Sequence, residues 1–344
     1  MDISERENII LWALVDTHIA TGEPVGSRTI SKTGVGISPA TIRNTMVDLE
    51  EKGLIYQPHT SAGRVPTDQG YRCYVDHLMP SEALEEAQEK GIRTKLLASL
   101  RDEDAEKILE QISRIIADIS LQLGVVLSPR FEGGIFHRLE LIPLTERRIM
   151  VVLSIESGLV KTMVIEVGSP FEIAHLSLTT QTLNERLSGL TIGELQKEAR
   201  ERLREVPRGD PKLLRVILDE TASMFSHSHS GDLHLGGTGN IFRQPDFQDR
   251  EALVGLFNLL EARDPIVDVL EGRTEKEGVT ITIGNENCGL PEIRSCSVVT
   301  SRYRVGGASG LVGIIGPKRM RYPLISSLVR FVAQITEELF NQKS

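Results

Sequence analysis

Residues 37–53, Ile-Ser-Pro-Ala-Thr-Ile-Arg-Asn-Thr-Met-Val-Asp-Leu-Glu-Glu-Lys-Gly, constrain the chain more than any other stretch, because both ends of a helix are written into them. Ser38 is a cap, since its hydroxyl accepts from an unpaired N–H of the first turn. Pro39 falls at the first helical position, where its missing N–H costs nothing. Gly53 supplies the left-handed residue that ends the helix. Ile42, Met46 and Leu49 recur at helical spacing and make one apolar stripe. At about 100° per residue, Ala40, Thr41, Arg43, Asn44, Val47 and Asp48 project away from that stripe. A small residue, a hydroxyl, an arginine and an amide therefore crowd an exposed helix start. A helix that enters a DNA major groove N-terminus first uses such a start.

The flanks extend the pattern. Residues 4–20 begin with a capping box, Ser4 and Glu7 three on, and place Ile10, Leu14 and Val15 or Ile19 on a buried side. Trp12 reads as a packed ring and His18 as an exposed helix residue. Residues 21–26, Thr-Gly-Glu-Pro-Val-Gly, break that helix. A short helix over 27–33 and the turn Gly34-Val-Gly36 lead into the capped helix, giving helix, turn, helix. Leu54-Ile-Tyr56 then reads as a strand, His59-Thr-Ser-Ala-Gly63 as a polar turn, and Arg64-Val65 as a return strand. Thr67 caps a further helix that runs to Met79, and Pro80 closes the module.

Three runs are specific: Pro-Val-Gly-Ser-Arg-Thr-Ile (24–30), Ser-Pro-Ala-Thr-Ile-Arg-Asn-Thr-Met (38–46) and Ser-Ala-Gly-Arg-Val-Pro-Thr-Asp-Gln-Gly-Tyr-Arg-x-Tyr-Val-Asp (61–76). They resemble the heat-inducible transcription repressor family, HrcA. The order and length of the remaining chain fit too, with the motifs densest in the first 80 residues. The resemblance implies a dimer on the inverted-repeat operator upstream of chaperone operons, kept active by the GroEL chaperonin. It also implies a GAF-like second domain and an inserted dimerisation segment. The expected base-edge and adjacent-phosphate contacts are Ser38, Thr41, Arg43 and Asn44, because Arg and Asn bind guanine and adenine bidentately. Ser27, Arg28, His59, Thr60, Ser61 and Arg64 are expected on the DNA backbone.

The expected fold is α+β and multidomain. A winged helix-turn-helix covers 1–80 and an acidic, solvated helical linker 81–106. A GAF-like α+β domain takes 107–170 and 232–344, interrupted by a mostly helical dimerisation segment at 171–231. Within it, Ile108, Ile112, Ile115, Ile116 and Ile119 mark a helix, and Val125–Leu127 a buried strand. Strands follow at 137–144, 148–156 and 160–167, with Ser157-Gly158 as a hairpin turn. Helices are expected at 183–187, 192–206, 211–225, 248–263 and 266–270, then strands at 279–283, 297–301 and 310–315, and a final helix at 322–340.

A formal net charge of −9 on 344 residues opposes nucleic acid taken alone. Its distribution reverses that locally. No acidic residue lies between Glu23 and Asp48, an interval that holds Arg28, Lys32 and Arg43; Lys52, His59, Arg64 and Arg72 continue the basic side. Aromatics at 4% oppose a single-strand binder built on stacking. No apolar run reaches the ~18 residues of a membrane span, and no leader is evident. Cys73, Cys288 and Cys296 read as reduced thiols of a cytoplasmic protein. His227, His229 and His234, with Asp232 nearby, read as a mobile polar loop and not a metal site. Gly236–Asn240 and Gly306–Gly310 lack the lysine of a phosphate loop and read as turns. No nucleophile elbow is present, so neither an enzyme nor a cofactor is expected. Small-molecule sensing by the GAF-like domain is the alternative, by fold analogy alone.

Overall fold

Helix caps and apolar stripes shape the start of the chain. In a computed structural model, the described residues are 3–341 except 100–104, 131–132, 157–159, 169–170, 203–215, 217–232, 248–249, 273–276, 288 and 306. Helix α1 (Glu5–Thr21) opens with the Ser4–Glu7 capping box and ends at Gly22, φ +74°. Short α2 (Ser27–Ser31) and α3 (Pro39–Glu51) follow. Ile10, Leu14, Ile30, Ile42 and Leu49 are fully buried between them. Strands β1 (Ile55–Tyr56) and β2 (Val65–Pro66) pair antiparallel as a hairpin. Val25 adds an antiparallel bridge to Arg64. Helix α4 (Asp68–Cys73), capped by Thr67, runs into a π-turn at Tyr74–Leu78.

His18 is not the exposed residue its position suggests. It is 8% exposed, donates through Nδ1 to the Glu23 carbonyl (2.9 Å), and lies against Tyr71 of α4. The acidic connector is not solvated all round either. Helix α5 (Glu86–Ser99) buries Ile92 and Leu96 on one face, where each contributes roughly 1.5–3 kcal/mol. Arg93 ties that helix to Glu338 (2.9 Å).

The rest of the chain mixes helix and sheet. Helix α6 (Ala105–Ser120) precedes β3 (Leu123–Arg130). Next come β4 (Phe136–Pro143), β5 (Arg148–Ile155), β6 (Val160–Glu166), α7 (Ile173–Leu187) and α8 (Ile192–Arg202). The chain then runs β7 (Leu233–Gly236), α9 (Thr238–Phe242), α10 (Arg250–Ala262), α11 (Asp264–Glu271) and β8 (Val279–Ile283). It ends with β9 (Cys296–Val305), β10 (Ala308–Pro317) and α12 (Tyr322–Asn341).

The strands form an antiparallel five-stranded sheet, β7-β3-β10-β9-β8, and a separate meander, β4-β5-β6. Alternation sorts the larger sheet's side chains to two covered faces. Val126, Val299, Val312 and Ile314 join a core with α6 and α12. Leu123, Val125, Leu127, Leu311 and Ile315 join another with α10 and α11. The sequence reading grouped residues 136–166 with the larger α+β domain. Among the described residues their strand ladders pair only with one another, because each strand finds its sequence neighbour across a short turn. Most of the expected 211–225 helix, Ser157, Gly158, His227, His229, Asp232 and Cys288 lie outside the described residues.

Candidate nucleic-acid interface

Helix α3 presents a polar start. Ser38 caps it, accepting from the Thr41 N–H (3.2 Å), and the two hydroxyls share a hydrogen bond of 2.9 Å. Beyond them Ala40, Arg43, Asn44, Val47 and Asp48 are exposed, Val47 by 43%. Ile42, Thr45, Met46 and Leu49 face the core. The helix therefore divides where the apolar stripe placed the division.

The hairpin is tied to the far end of α3. Arg64 donates to Glu50 through Nε and approaches it again through a terminal nitrogen, both at 2.9 Å. Backbone bonds of 2.8 Å in both directions join Arg64 to Val25. That bridge leaves no room at Gly63, where a Cβ would stand 2.5 Å from the Val25 carbonyl. At the tip, His59, Thr60 and Ser61 are exposed. Gln57 holds the loop by donating to the carbonyls of Thr60 (3.0 Å) and Ala62 (2.9 Å). Gln57, Glu50 and Gly63 were absent from the expected site. Only the glycine carried a signal, an isolated glycine beside a strand.

The expected contacts do not all stand alike. Arg28, Ser38, Arg43, Asn44, His59, Thr60 and Ser61 are exposed, and Thr41 is half-buried. Ser27 is buried at the first turn of α2. Arg64 keeps 18% of its side chain exposed and is committed to Glu50. Arg43 does not take Glu50 or Asp48 as a partner; among the described residues no ion pair reaches Arg28, Lys32 or Arg43. Two cations downstream of the acid-free window are taken up by carboxylates. Lys52 bridges to Glu7 of α1 (2.7 Å), which lowers the pKa of the Glu7 carboxyl. Arg72 turns toward the larger sheet and meets Glu286.

Comparison with known proteins decides the family. Residues 106–325, more than half of the chain, match the family described as the HrcA protein C-terminal domain. The heat-inducible transcription repressor HrcA of Symbiobacterium thermophilum is 37% identical, over 98% of this chain and 98% of its own. That of Geobacter sulfurreducens is likewise 37% identical, over 98% of both chains. The chain belongs to the HrcA family. HrcA proteins are heat-inducible transcription repressors, not enzymes. The crystal structure of a hypothetical protein shares the fold, with a TM-score of 0.61 and 24% identity across 100% of both chains. Among the described residues, no helix is long and apolar enough to cross a membrane.

Proposed function

We propose that this chain represses heat-shock operons by binding an inverted-repeat operator as a dimer. Residues 1–80 act as a winged helix. Helix α3 lies in the major groove, with Ser38, Thr41, Arg43 and Asn44 at base edges and adjacent phosphates. Arg28, His59, Thr60 and Ser61 hold the backbone beside it. Ser27 and Arg64 serve the same contact from within, Ser27 by seating α2 and Arg64 by fixing the hairpin against α3. The observation that carries this reading is the exposed, unneutralised Arg43 beside Asn44 at the polar start of a helix whose other end is tied to the hairpin.

The 1–80 unit is followed by a connector to 106 that packs on α12. The five-stranded sheet and its helices form a GAF-like domain. The β4–β6 meander with α7 and α8, continuing through residue 231, forms an inserted dimerisation segment, so the insertion starts after β3 and not at 171. The protein works in the cytoplasm, and GroEL keeps it competent: heat diverts the chaperonin to unfolded clients and repression falls. Both faces of the larger sheet are filled by side chains, which gives small-molecule sensing no support.

Stoichiometry tests the dimer. Titrating the full chain, with chaperonin supplied, against an inverted repeat should saturate at two chains per duplex. A duplex with one half-site should bind far more weakly, because the second contact is no longer intramolecular. Saturation at one chain, with equal affinity for the two duplexes, contradicts the dimer.

A further inference from the structure

Helix α4 joins the N-terminal unit to the larger sheet through charges and close approaches. Asp68, its first residue, accepts from Lys318 Nζ and from the backbone N–H of Asn285 (3.0 Å). Gly284, φ +55°, comes so near that a Cβ there would stand 2.2 Å from Asp68 Oδ2. Four residues on, Arg72 donates to Glu286 through Nε (2.8 Å) and to the Ile281 carbonyl (2.7 Å). Between them Tyr71 is buried against Tyr322, whose hydroxyl shares a 2.8 Å hydrogen bond with Ser297. Positions 68, 71 and 72 share one helix face, so a single turn of α4 carries all three of these contacts. Arg319 adds a two-oxygen grip on Asp246 (2.7 and 2.9 Å) beneath the end of α1 at Gly22.

On its other side α4 is fixed to the reading unit. Thr67 caps α4 at Gly70, and its hydroxyl also donates to the Gly53 carbonyl at the end of α3 (2.6 Å). Gly70 lies so close to the chain that a Cβ would stand 2.0 Å from the Leu54 carbonyl. The attachment leaves α3 itself alone: that helix packs on α1, α2 and β1, and its polar face stays exposed. A contact that grips the reading unit firmly, without covering its reading face, sets direction and does not block access.

We infer that Asp68 and Arg72 are positioning residues for operator binding: they fix the angle and separation at which a dimer presents its two α3 helices. The inference rests on the dimeric-repressor reading. A rigid junction lets the second α3 bind intramolecularly only at the half-site separation its geometry allows, whereas a loose tether spreads engagement over many separations. Each inserted base pair rotates one half-site about 35° around the duplex axis, so a rigid pair of heads detects small changes.

The test is a series of inverted repeats whose central spacer is shortened or lengthened by one to four base pairs. Each is titrated with the full-length wild type, Arg72→Glu, Asp68→Asn, and the charge swap Arg72→Glu with Glu286→Arg. The wild type should show one sharp optimum, losing about 10²-fold in affinity when the spacer changes by two base pairs. Arg72→Glu and Asp68→Asn should keep wild-type affinity for a single half-site yet bind all spacers within a few-fold of one another, and the swap should restore the optimum. An unchanged optimum in both single variants overturns the inference. So does tighter binding by those variants at every spacer, which would make the attachment a restraint on binding. Loss of half-site binding by both single variants and by the swap would assign α4 to the stability of the reading unit alone, and also overturns it. If the wild type binds no inverted repeat, the repressor reading fails, and this inference with it.

Discussion

His18 sits where the last turn of α1 meets Tyr71 and the Arg319–Asp246 pair, and its protonation is coupled to folding there. Burial lowers its pKa below the usual 6.5, and Arg319 opposes the charged form further, against the Glu23 carbonyl and Asp246. The unfolded chain therefore binds this proton more readily than the folded one. The stability from a neutral His18 is present in full above pH 6.5 and is lost as pH falls from there toward the lower folded value. The Glu7 carboxyl, also depressed, makes its change below its own ordinary 4.5, a separate window. Thermal melts of wild type should fall between pH 7 and 5.5, and His18→Gln should flatten that slope; identical slopes contradict the coupling. Periodicity in residues 4–20 identified Ile10 and Leu14 as core but not His18. The groups that bury it come from α4 and from the approach to α12, far along the chain. Arg64 and Arg72 teach the same lesson: their charge is legible, their partners Glu50 and Glu286 are not.

At the scale of elements, α6 rests on two glycines. Gly124 of β3 and Gly236 of β7 are paired across the sheet, and a Cβ on either would stand 2.1 or 2.3 Å from the Ser113 carbonyl of α6. The helix approaches the strands as backbone on backbone, so neither position has a flexible neighbour to yield. Gly124→Ala should cost about 1–3 kcal/mol or more through overpacking, read as a lowered midpoint in denaturant. Gly239→Ala, with nothing within 4 Å of its Cβ, is the control and should leave the midpoint nearly unchanged. Equal midpoints for both variants contradict the account. Residues 236–240 were expected as a turn; Gly236 instead ends β7 and Thr238 opens α9, with only Gly237 left-handed between them, and Asn240 ties the helix down by donating to the Ala117 and Gln122 carbonyls (both 3.1 Å). Most strand identities were legible from alternation and β-branched runs; β7 was not, and its His234, expected in a mobile polar loop, pairs with Val126 of β3 and shares a hydrogen bond with Ser128 (3.1 Å). Sheet membership was not legible, because a period of two says which face a residue takes and nothing about which strand lies alongside. That is why the β4–β6 strands were grouped in one domain with the strands of the larger sheet, with no sheet assigned to them.

Over the whole molecule, an acidic chain carries one surface suited to a polyanion. The net charge of −9 repels DNA from most of the protein, while Arg28, Lys32 and Arg43 stand exposed around the polar start of α3. Orientation then follows from charge as well as from shape, since this face lowers the energy of approach to a polyanion. This much was legible, because the acid-free window keeps its cations exposed even though Lys52 and Arg72, downstream of it, pair with carboxylates. How the C-terminal part holds the reading unit was not, since every tie spans some two hundred residues or more of sequence. The central claim is that α3 reads sequence through Arg43. It is tested most directly by the affinity of wild type and Arg43→Ala for the inverted repeat and for a scrambled duplex, across a range of salt. The account predicts that Arg43→Ala loses roughly tenfold to a hundredfold on the inverted repeat, keeps most of its affinity for the scrambled duplex, and changes the salt slope by no more than about one. Equal affinities of wild type and variant on the inverted repeat would contradict it.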